Sequence, residues 1–229
     1  MVHQISSRKS ASASRASRKI SSMWLSLSRQ IIVAAIVGVL AACGWGAMRA
    51  LDYLETDRDV DARRVALMGH SKLGKATLWA AAQDQRFAPA ISANSGCAGA
   101  ALWRRGYGET LAKMTSRFPY WLCANAQKFV GREDDLPVDQ HMLLALLAPR
   151  PVYVASATAD HWADPRGEYL SANHASAVYH LLGKRGLTSE NSPQADRAIM
   201  ESEVGYHLKT GGHSIDKFDW DKFLEFADH

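Results

Sequence analysis

The sequence predicts an α/β fold, a mostly parallel sheet flanked by helices, and three observations carry that prediction. Short apolar runs of strand character recur at residues 65–68, 87–92 and 151–157, and Val204, Tyr206 and Leu208 alternate as a last strand. Helical apolar spacing occupies the stretches between and after them, at 72–83, 139–147, 168–182 and 218–226. Strand alternating with helix is the chain order of a doubly wound parallel sheet, and no internal repeat suggests another architecture.

In chain order, residues 1–30 come first, rich in serine and arginine and almost without apolar periodicity. Such a segment buries too little surface to offset its ordering entropy, so a disordered basic tail is expected. It holds six of the chain's 27 basic residues and none of its 23 acids, so the net charge of +4 resides there. The remaining 199 residues carry 21 basic and 23 acidic groups, which gives no basic face for nucleic acid. With 229 residues and 47% hydrophobic content, the chain can build one sizeable core.

Residues 31–43 form an apolar run ending Leu40-Ala41-Ala42-Cys43. A basic segment, an apolar run and small residues describe an export signal, and this ending is similar to a lipoprotein cleavage box. The apolar pattern nevertheless continues through Trp45, Met48, Leu51 and Leu54, with Arg49, Asp52 and Glu55 between them, as in an amphipathic helix packed on a core. The integral helix is the favoured of the two readings. Cys43, Cys97 and Cys123 are too few for a disulfide framework and lack metal-ligand spacing. Cys97 and Cys123 could pair in an exported protein, or remain as two small buried thiols.

After a polar connection at 57–64, the first strand ends at Gly69-His70-Ser71 and passes directly into a helix. A serine on a strand-to-helix turn stands clear of the sheet, with backbone amides at the positive end of the helix beside it. That is a nucleophile elbow, although Leu73 stands where the five-residue Gly-x-Ser-x-Gly form has its second glycine, and Gly74 comes one place later. The second strand ends at Asn94-Ser95-Gly96-Cys97. The stretch 98–149 is mixed, with several glycines, Arg104-Arg105 and the aromatics Phe118, Tyr120 and Trp121. The strand at 151–157 opens on Asp160-His161-Trp162-Ala163-Asp164-Pro165, and the last strand on Gly211-Gly212-His213.

Ser71, Asp160 and His213 therefore follow three strand ends, and the carboxyl ends of parallel strands form the ligand crevice. Their order, serine then acid then histidine, is that of α/β-hydrolases. The serine hydroxyl needs a base, an imidazole can take and return its proton, and a carboxylate fixes the imidazole tautomer. Asp160 taken alone could instead cap the following helix, a role for which Asp164 before Pro165 competes. His207 and His213, six positions apart, make no metal-ligand pair. His70 is expected to pack or bond locally, Trp79 and Trp121 to be core, and Arg63-Arg64 and Arg104-Arg105 to be solvated.

These segments resemble the glucuronoyl esterases of carbohydrate esterase family 15, in their bacterial form. The matching residues are Trp45 to Leu54, Gly69-His70-Ser71-Lys72-Leu73-Gly74-Lys75 and Asn94-Ser95-Gly96-Cys97-Ala98-Gly99-Ala100. They continue with Gly108-Glu109-Thr110, Leu136 to Met142, Ala148 to Ala157, Trp162 to Glu168 and Gly205-Tyr206-His207. The displaced glycine is a trait of that family. The resemblance implies a cofactor-free α/β-hydrolase that cleaves esters of 4-O-methyl-glucuronic acid joining glucuronoxylan to lignin alcohols. It implies Ser71 as nucleophile, His213 as base and Asp160 as acid. Lys72 would serve the oxyanion, and Lys75, Glu109 and Trp162 would bind the uronate. It further implies a secreted or periplasmic protein, with no nucleic acid and no obligate protein partner.

Two departures stand out. Lys72 replaces the family's arginine, keeping the charge but losing the planar fork. The other is that at most one helix precedes the strand at 65–68, where a hydrolase domain has several strands. Residues 31–229 are thus expected to be the C-terminal part of an α/β-hydrolase domain lacking its N-terminal strands. Fungal members place a glutamate after the next strand, where this chain has Asn94. Two other functions stay open: an inactive truncated fragment that at best binds sugar, and an acetylxylan-type esterase.

Overall fold

A strand-then-helix rhythm organises the chain, and it begins with a helix laid across the first of its βα units. The computed structural model describes residues 38–189 and 191–228. The expected basic tail and residues 31–37 of the apolar run lie outside the described residues. Helix α1, Val39–Leu54, takes up the rest of that run as one amphipathic helix, burying Leu40 and Leu51 and exposing Trp45 and Tyr53. Among the described residues no helix is long and apolar enough to cross a membrane.

Five strands form one sheet in the order β1-β2-β3-β5-β4. They are β1 (Leu67–His70), β2 (Ala90–Ala93), β3 (Val152–Ala157), β4 (Arg197–Ile199) and β5 (Val204–Lys209). The first three and β5 pair in parallel, and β4 adds an antiparallel edge to β5. The sheet is thus mostly parallel and flanked by helices, as the apolar runs imply. Strand β1 starts two residues later than its apolar run because Asp61 caps a helical turn at Ala62–Arg64, which delivers the chain at Val65. Strand β2 begins after Pro89, which has no N–H to donate. The edge strand β4 is only three residues, Arg197, Ala198 and Ile199, too short to show an alternating pattern.

The connecting helices are α2 (Lys72–Gln83), α3 (Leu111–Arg117), α4 (Gln140–Ala145), α5 (Pro165–Leu181) and α6 (Lys217–Ala227). Helix α5 begins three residues before the predicted 168 because Asp164 caps it, accepting from the Gly167 amide, with Pro165 in the first turn. Helix α4 is shorter than 139–147, since Asp139 is its cap rather than its first residue and successive tight turns carry the chain to Pro149. Helix α3, unforeseen in the mixed stretch, is capped by Thr110. Asp216 and Asp219 form a reciprocal capping box at the start of α6.

Alternation along the central strand β3 divides the core. Val152 and Val154 face one side with Leu78, Trp79, Leu143, Leu144, Tyr169 and Tyr206, whereas Tyr153 and Ala155 face the other with Ile91, Phe223 and Phe226. The first side receives α1, α2, α4 and α5, and α6 covers the second. Cys43, Cys97 and Cys123 are free thiols, with Cys97 buried, so of the two cysteine expectations the unpaired one is found. Arg104 and Arg105 are not simply solvated: Arg104 donates to the Leu136 carbonyl and Arg105 pairs with Asp164.

Candidate active site

The turn from β1 into α2 holds Ser71 at φ 56° and ψ −124°, a left-handed backbone that is unusual for a residue with a side chain. Its amide donates to the Ala93 carbonyl at 2.8 Å, tying the turn to β2. Two glycines make the turn possible. A Cβ at Gly69 would lie 2.2 Å from the Leu73 carbonyl oxygen, and one at Gly74 2.9 Å from the Ser95 Cβ. Gly74 is thus the residue through which α2 meets the β2 end, while Leu73 is 53% exposed. The displaced glycine follows from that packing. As the first residue of α2, Lys72 also has a backbone N–H without an intrahelical acceptor, directly beside the serine.

Three loops converge on this turn. Ser71 Oγ donates to His213 Nε2 at 2.8 Å, and His213 Nδ1 donates to Asp160 Oδ2 at 2.7 Å. The proton sits on Nδ1 because a carboxylate can only accept there. Asp160 Oδ2 also accepts from Asn94 Nδ2 at 2.9 Å, and its Oδ1 accepts from the Ala163 amide at 3.3 Å. Asp164 takes the helix cap, which leaves Asp160 for the histidine. The His70 ring backs that of His213, 4.6 Å between centroids, and burial and the neighbouring imidazole lower its pKa. A neutral ring therefore lies behind the base.

The loop carrying His213 is anchored from below. Lys209 donates to the Ser214 carbonyl at 2.7 Å, to Asp216 at 3.0 Å and to Asp219 at 2.5 Å. Asp219, 0% exposed, also accepts from His207 Nε2 at 2.9 Å, and His207 Nδ1 meets the Tyr153 hydroxyl at 3.0 Å. Burial works to raise the Asp219 pKa, but the His207 and Lys209 hydrogen bonds outweigh it and hold the carboxyl at about 2. His207 is thus a core residue.

A cavity of about 280 Å³ opens at Ser71 and His213. Lys75, Glu109 and Trp162 line it together with Asn94, Ser95, Gly96, Arg117, Phe118, Trp121 and Ala163. Of the residues expected at the site, Ser71, His213, Lys75, Glu109 and Trp162 meet here, and Asp160 stands behind the histidine. Lys72 is not in the lining; its ammonium lies 6.0 Å from the centre of the Trp121 ring.

Lys75, only 3% exposed, donates at 2.6 Å to each of the Ser95 and Cys97 carbonyls and Glu109 Oε2. These saturate its three protons, so Lys75 orients Glu109 and supplies charge rather than a free donor. The loop bearing those carbonyls is held in turn by buried Glu168, which accepts from the Ser95 and Gly96 amides at 2.7 and 3.0 Å and from Ser156 Oγ at 2.7 Å. Burial raises the Glu168 carboxyl to about 7 despite these donors.

Trp79 is core, as expected, but Trp121 is a cavity wall, stacked on Phe118 at 3.9 Å. The aromatic run 118–121 was the available signal, and a mixed stretch gave no means of telling core from cleft. The His213 latch and the Asn94 contact to Asp160 join residues distant in sequence and carry no local signal.

A family model described as glucuronyl esterase, fungi, matches residues 8–183, so it includes Ser71, Glu109 and Asp160 and ends before His213. Carbohydrate esterase MZ0003, from an unknown prokaryotic organism, is 51% identical over 192 residues, which are 84% of this chain and 44% of that protein. The 4-O-methyl-glucuronoyl methylesterase 1 of Phanerochaete chrysosporium is 31% identical over 158 residues, 65% of this chain and 34% of that one.

Among solved structures, a promiscuous CE15 esterase from a marine bacterial metagenome superposes with a TM-score of 0.82 at 51% identity, covering 84% of this chain and 48% of that one. A glucuronoyl esterase from Solibacter usitatus gives 0.80 at 50% identity, with 83% and 48% covered. The Hypocrea jecorina catalytic domain, at 23% identity and 0.68, shares the fold. The chain spans about half the length of these relatives or less.

Proposed function

The chain belongs to the glucuronoyl esterase family, carbohydrate esterase family 15, and on that footing we propose that it is a serine carboxylic ester hydrolase for esters of 4-O-methyl-glucuronic acid. The observation that supports this most is the unbroken run from Ser71 Oγ to His213 to Asp160, at 2.8 and 2.7 Å, opening into a cavity that also holds Glu109 and Trp162. Serine, imidazole and carboxylate in that contact are suited to acyl transfer, and a carboxylate with an indole face is suited to a sugar.

In this reading Ser71 Oγ attacks the ester carbonyl while His213 Nε2 takes its proton. The Lys72 backbone N–H, with the Lys72 ammonium nearby, meets the developing oxyanion. The imidazolium, stabilised by Asp160, gives its proton to the departing alcohol and leaves a glucuronoyl ester on Ser71. Water then adds through the same base, the uronate leaves as a carboxylate and the serine is restored. Every proton is carried by the chain or by water, so the sequence of steps calls on no cofactor. Glu109, fixed by Lys75, accepts from sugar hydroxyls, and Trp162 lies against the ring. The substrate would be glucuronoxylan ester-linked to lignin alcohols, met outside the cell or in the periplasm.

Hydrolysis of benzyl glucuronate by the wild-type chain and by Ser71→Ala tests the proposal. Turnover by the wild type and background rate in the variant are expected, and equal rates would overturn it. A clear preference for acetylated xylan over the glucuronate ester would move the specificity to the acetyl class.

A further inference from the structure

Three cations back the cavity wall, Arg117 in its lining and Lys72 and Lys113 outside it, and each sits against a different aromatic side chain of that wall. The Lys72 ammonium lies 6.0 Å from the Trp121 ring centre, the Arg117 guanidinium 5.3 Å from Phe118 and the Lys113 ammonium 5.4 Å from Trp162. Among the described residues none of the three has an ion-pair partner. Glu109 is the only acid among the described residues of the cavity lining, and Lys75 already holds it at 2.6 Å; Asp160 faces His213 and Asn94.

Lys113 and Arg117 stand four apart on α3, so they share one face of that helix. Like charges at that spacing repel, and α3 contains no acid to offset them. Lys113 is steered further toward the cavity side by donating to the Gly108 carbonyl at 2.7 Å, beside Glu109. The ester that the cavity would take is neutral and Lys72 already serves its developing oxyanion, so the unpaired Lys113 and Arg117 exceed what the reacting group requires.

We propose that this rim binds carboxylates of an acidic polysaccharide, namely unesterified uronates carried on the same chain as the esterified one. The proposal rests on the reading of the cavity as a glucuronate-ester site and adds the class of polymer it selects. Surface cations of this kind contribute about two- to fivefold each to an anion's affinity and are screened by salt, since the Debye length falls from about 10 Å at 0.1 M to about 3 Å at 1 M.

The test is equilibrium binding of the full chain carrying Ser71→Ala, which removes turnover. The probes are 4-O-methyl-glucuronoxylan and the same polymer with its carboxyls reduced to alcohols, each at 20 and 500 mM NaCl. The acidic polymer should bind about fivefold or more tighter at low salt, with the gap closing at high salt. Adding Lys113→Glu should close the gap at low salt. In the chain with Ser71 intact, Lys113→Glu should leave turnover of benzyl glucuronate unchanged.

Equal affinity for the two polymers at 20 mM salt would overturn the proposal. So would unaltered acidic-polymer binding in both Lys113→Glu and Arg117→Glu. Displacement of the polymer by monomeric glucuronate at equal carboxylate concentration would assign the rim to the freed product instead, and the proposal would fall. Preference for the acidic polymer together with no benzyl glucuronate turnover would sustain the rim and remove the esterase reading; turnover without preference would do the reverse.

Discussion

Replacing Asp160 by asparagine changes one oxygen to an amide nitrogen in a setting where every neighbour is a donor. Oδ2 accepts from His213 Nδ1 at 2.7 Å and from Asn94 Nδ2 at 2.9 Å, and Oδ1 accepts from the Ala163 amide at 3.3 Å. An asparagine can keep its oxygen toward the first pair only by aiming its NH₂ at the Ala163 amide. In the opposite orientation the NH₂ faces His213 and Asn94, so the imidazole must accept on Nδ1 and carry its proton on Nε2, where Ser71 needs a base. Either way the negative charge that stabilises the imidazolium is lost. Acid-to-amide changes of this kind lower kcat by about 10⁴, or about 5 kcal/mol of activation free energy. Asp160 does not line the cavity, so KM for benzyl glucuronate should stay within about twofold. Steady-state kinetics on purified wild type and Asp160→Asn, with circular dichroism to show equal folding, measure both. A variant keeping more than a tenth of wild-type kcat would refute the assignment of Asp160 as the acid behind His213.

Other substitutions probe the supports around that site. Lys209→Met leaves the fully buried Asp219 carboxylate without its ammonium partner and should cost about 3–5 kcal/mol in urea unfolding, with a visible fall in Tm; a change under 1 kcal/mol would show that the latch bears no load. Gly69→Ala places a methyl 2.2 Å from the Leu73 carbonyl oxygen, so the first turn of α2 must move; about 1–3 kcal/mol of stability and most of the activity should go together. Wild-type activity in a folded Gly69→Ala chain would contradict the elbow geometry. Glu168, raised by burial to about 7 from an ordinary 4.5, holds a proton in the folded chain over a range where the unfolded chain has released it. Its contribution to stability is full below about pH 4.5 and lost as pH rises through about 7, on the order of 3 kcal/mol in all. Urea unfolding at pH 5 and 8 should show that slope in the wild type and a flatter one in Glu168→Gln, whereas identical slopes would dismiss it.

Much of this organisation could be read from the chain because it is local. The run Val65 to Met68, the turn Gly69-His70-Ser71 and the spacing of 72–83 lie together, and each reports on its neighbours. The three strand ends bearing Ser71, Asp160 and His213 were legible for the same reason, since a parallel sheet sends such ends to one edge. What escaped was either short or assembled from distant pieces. Helix α3 is seven residues in a stretch without clear periodicity, and β4 is three residues with no apolar pattern. The helix cap at Asp164, rather than Asp160, depended on which carboxylate the histidine reached. The bonding of Lys75 illustrates the deeper limit. Its position near the serine was evident, but that Ser95, Cys97 and Glu109 would saturate its three protons is a property of four separated positions folded together.

That Ser71 is a nucleophile activated by His213 can be tested without knowing the substrate. The chain is treated with a fluorophosphonate, digested and examined by mass spectrometry for a phosphonyl adduct. Stoichiometric modification of Ser71 is expected in the wild type, at a rate that falls by orders of magnitude in His213→Ala. No adduct at Ser71 in a folded chain, or labelling at the same rate without His213, would contradict it.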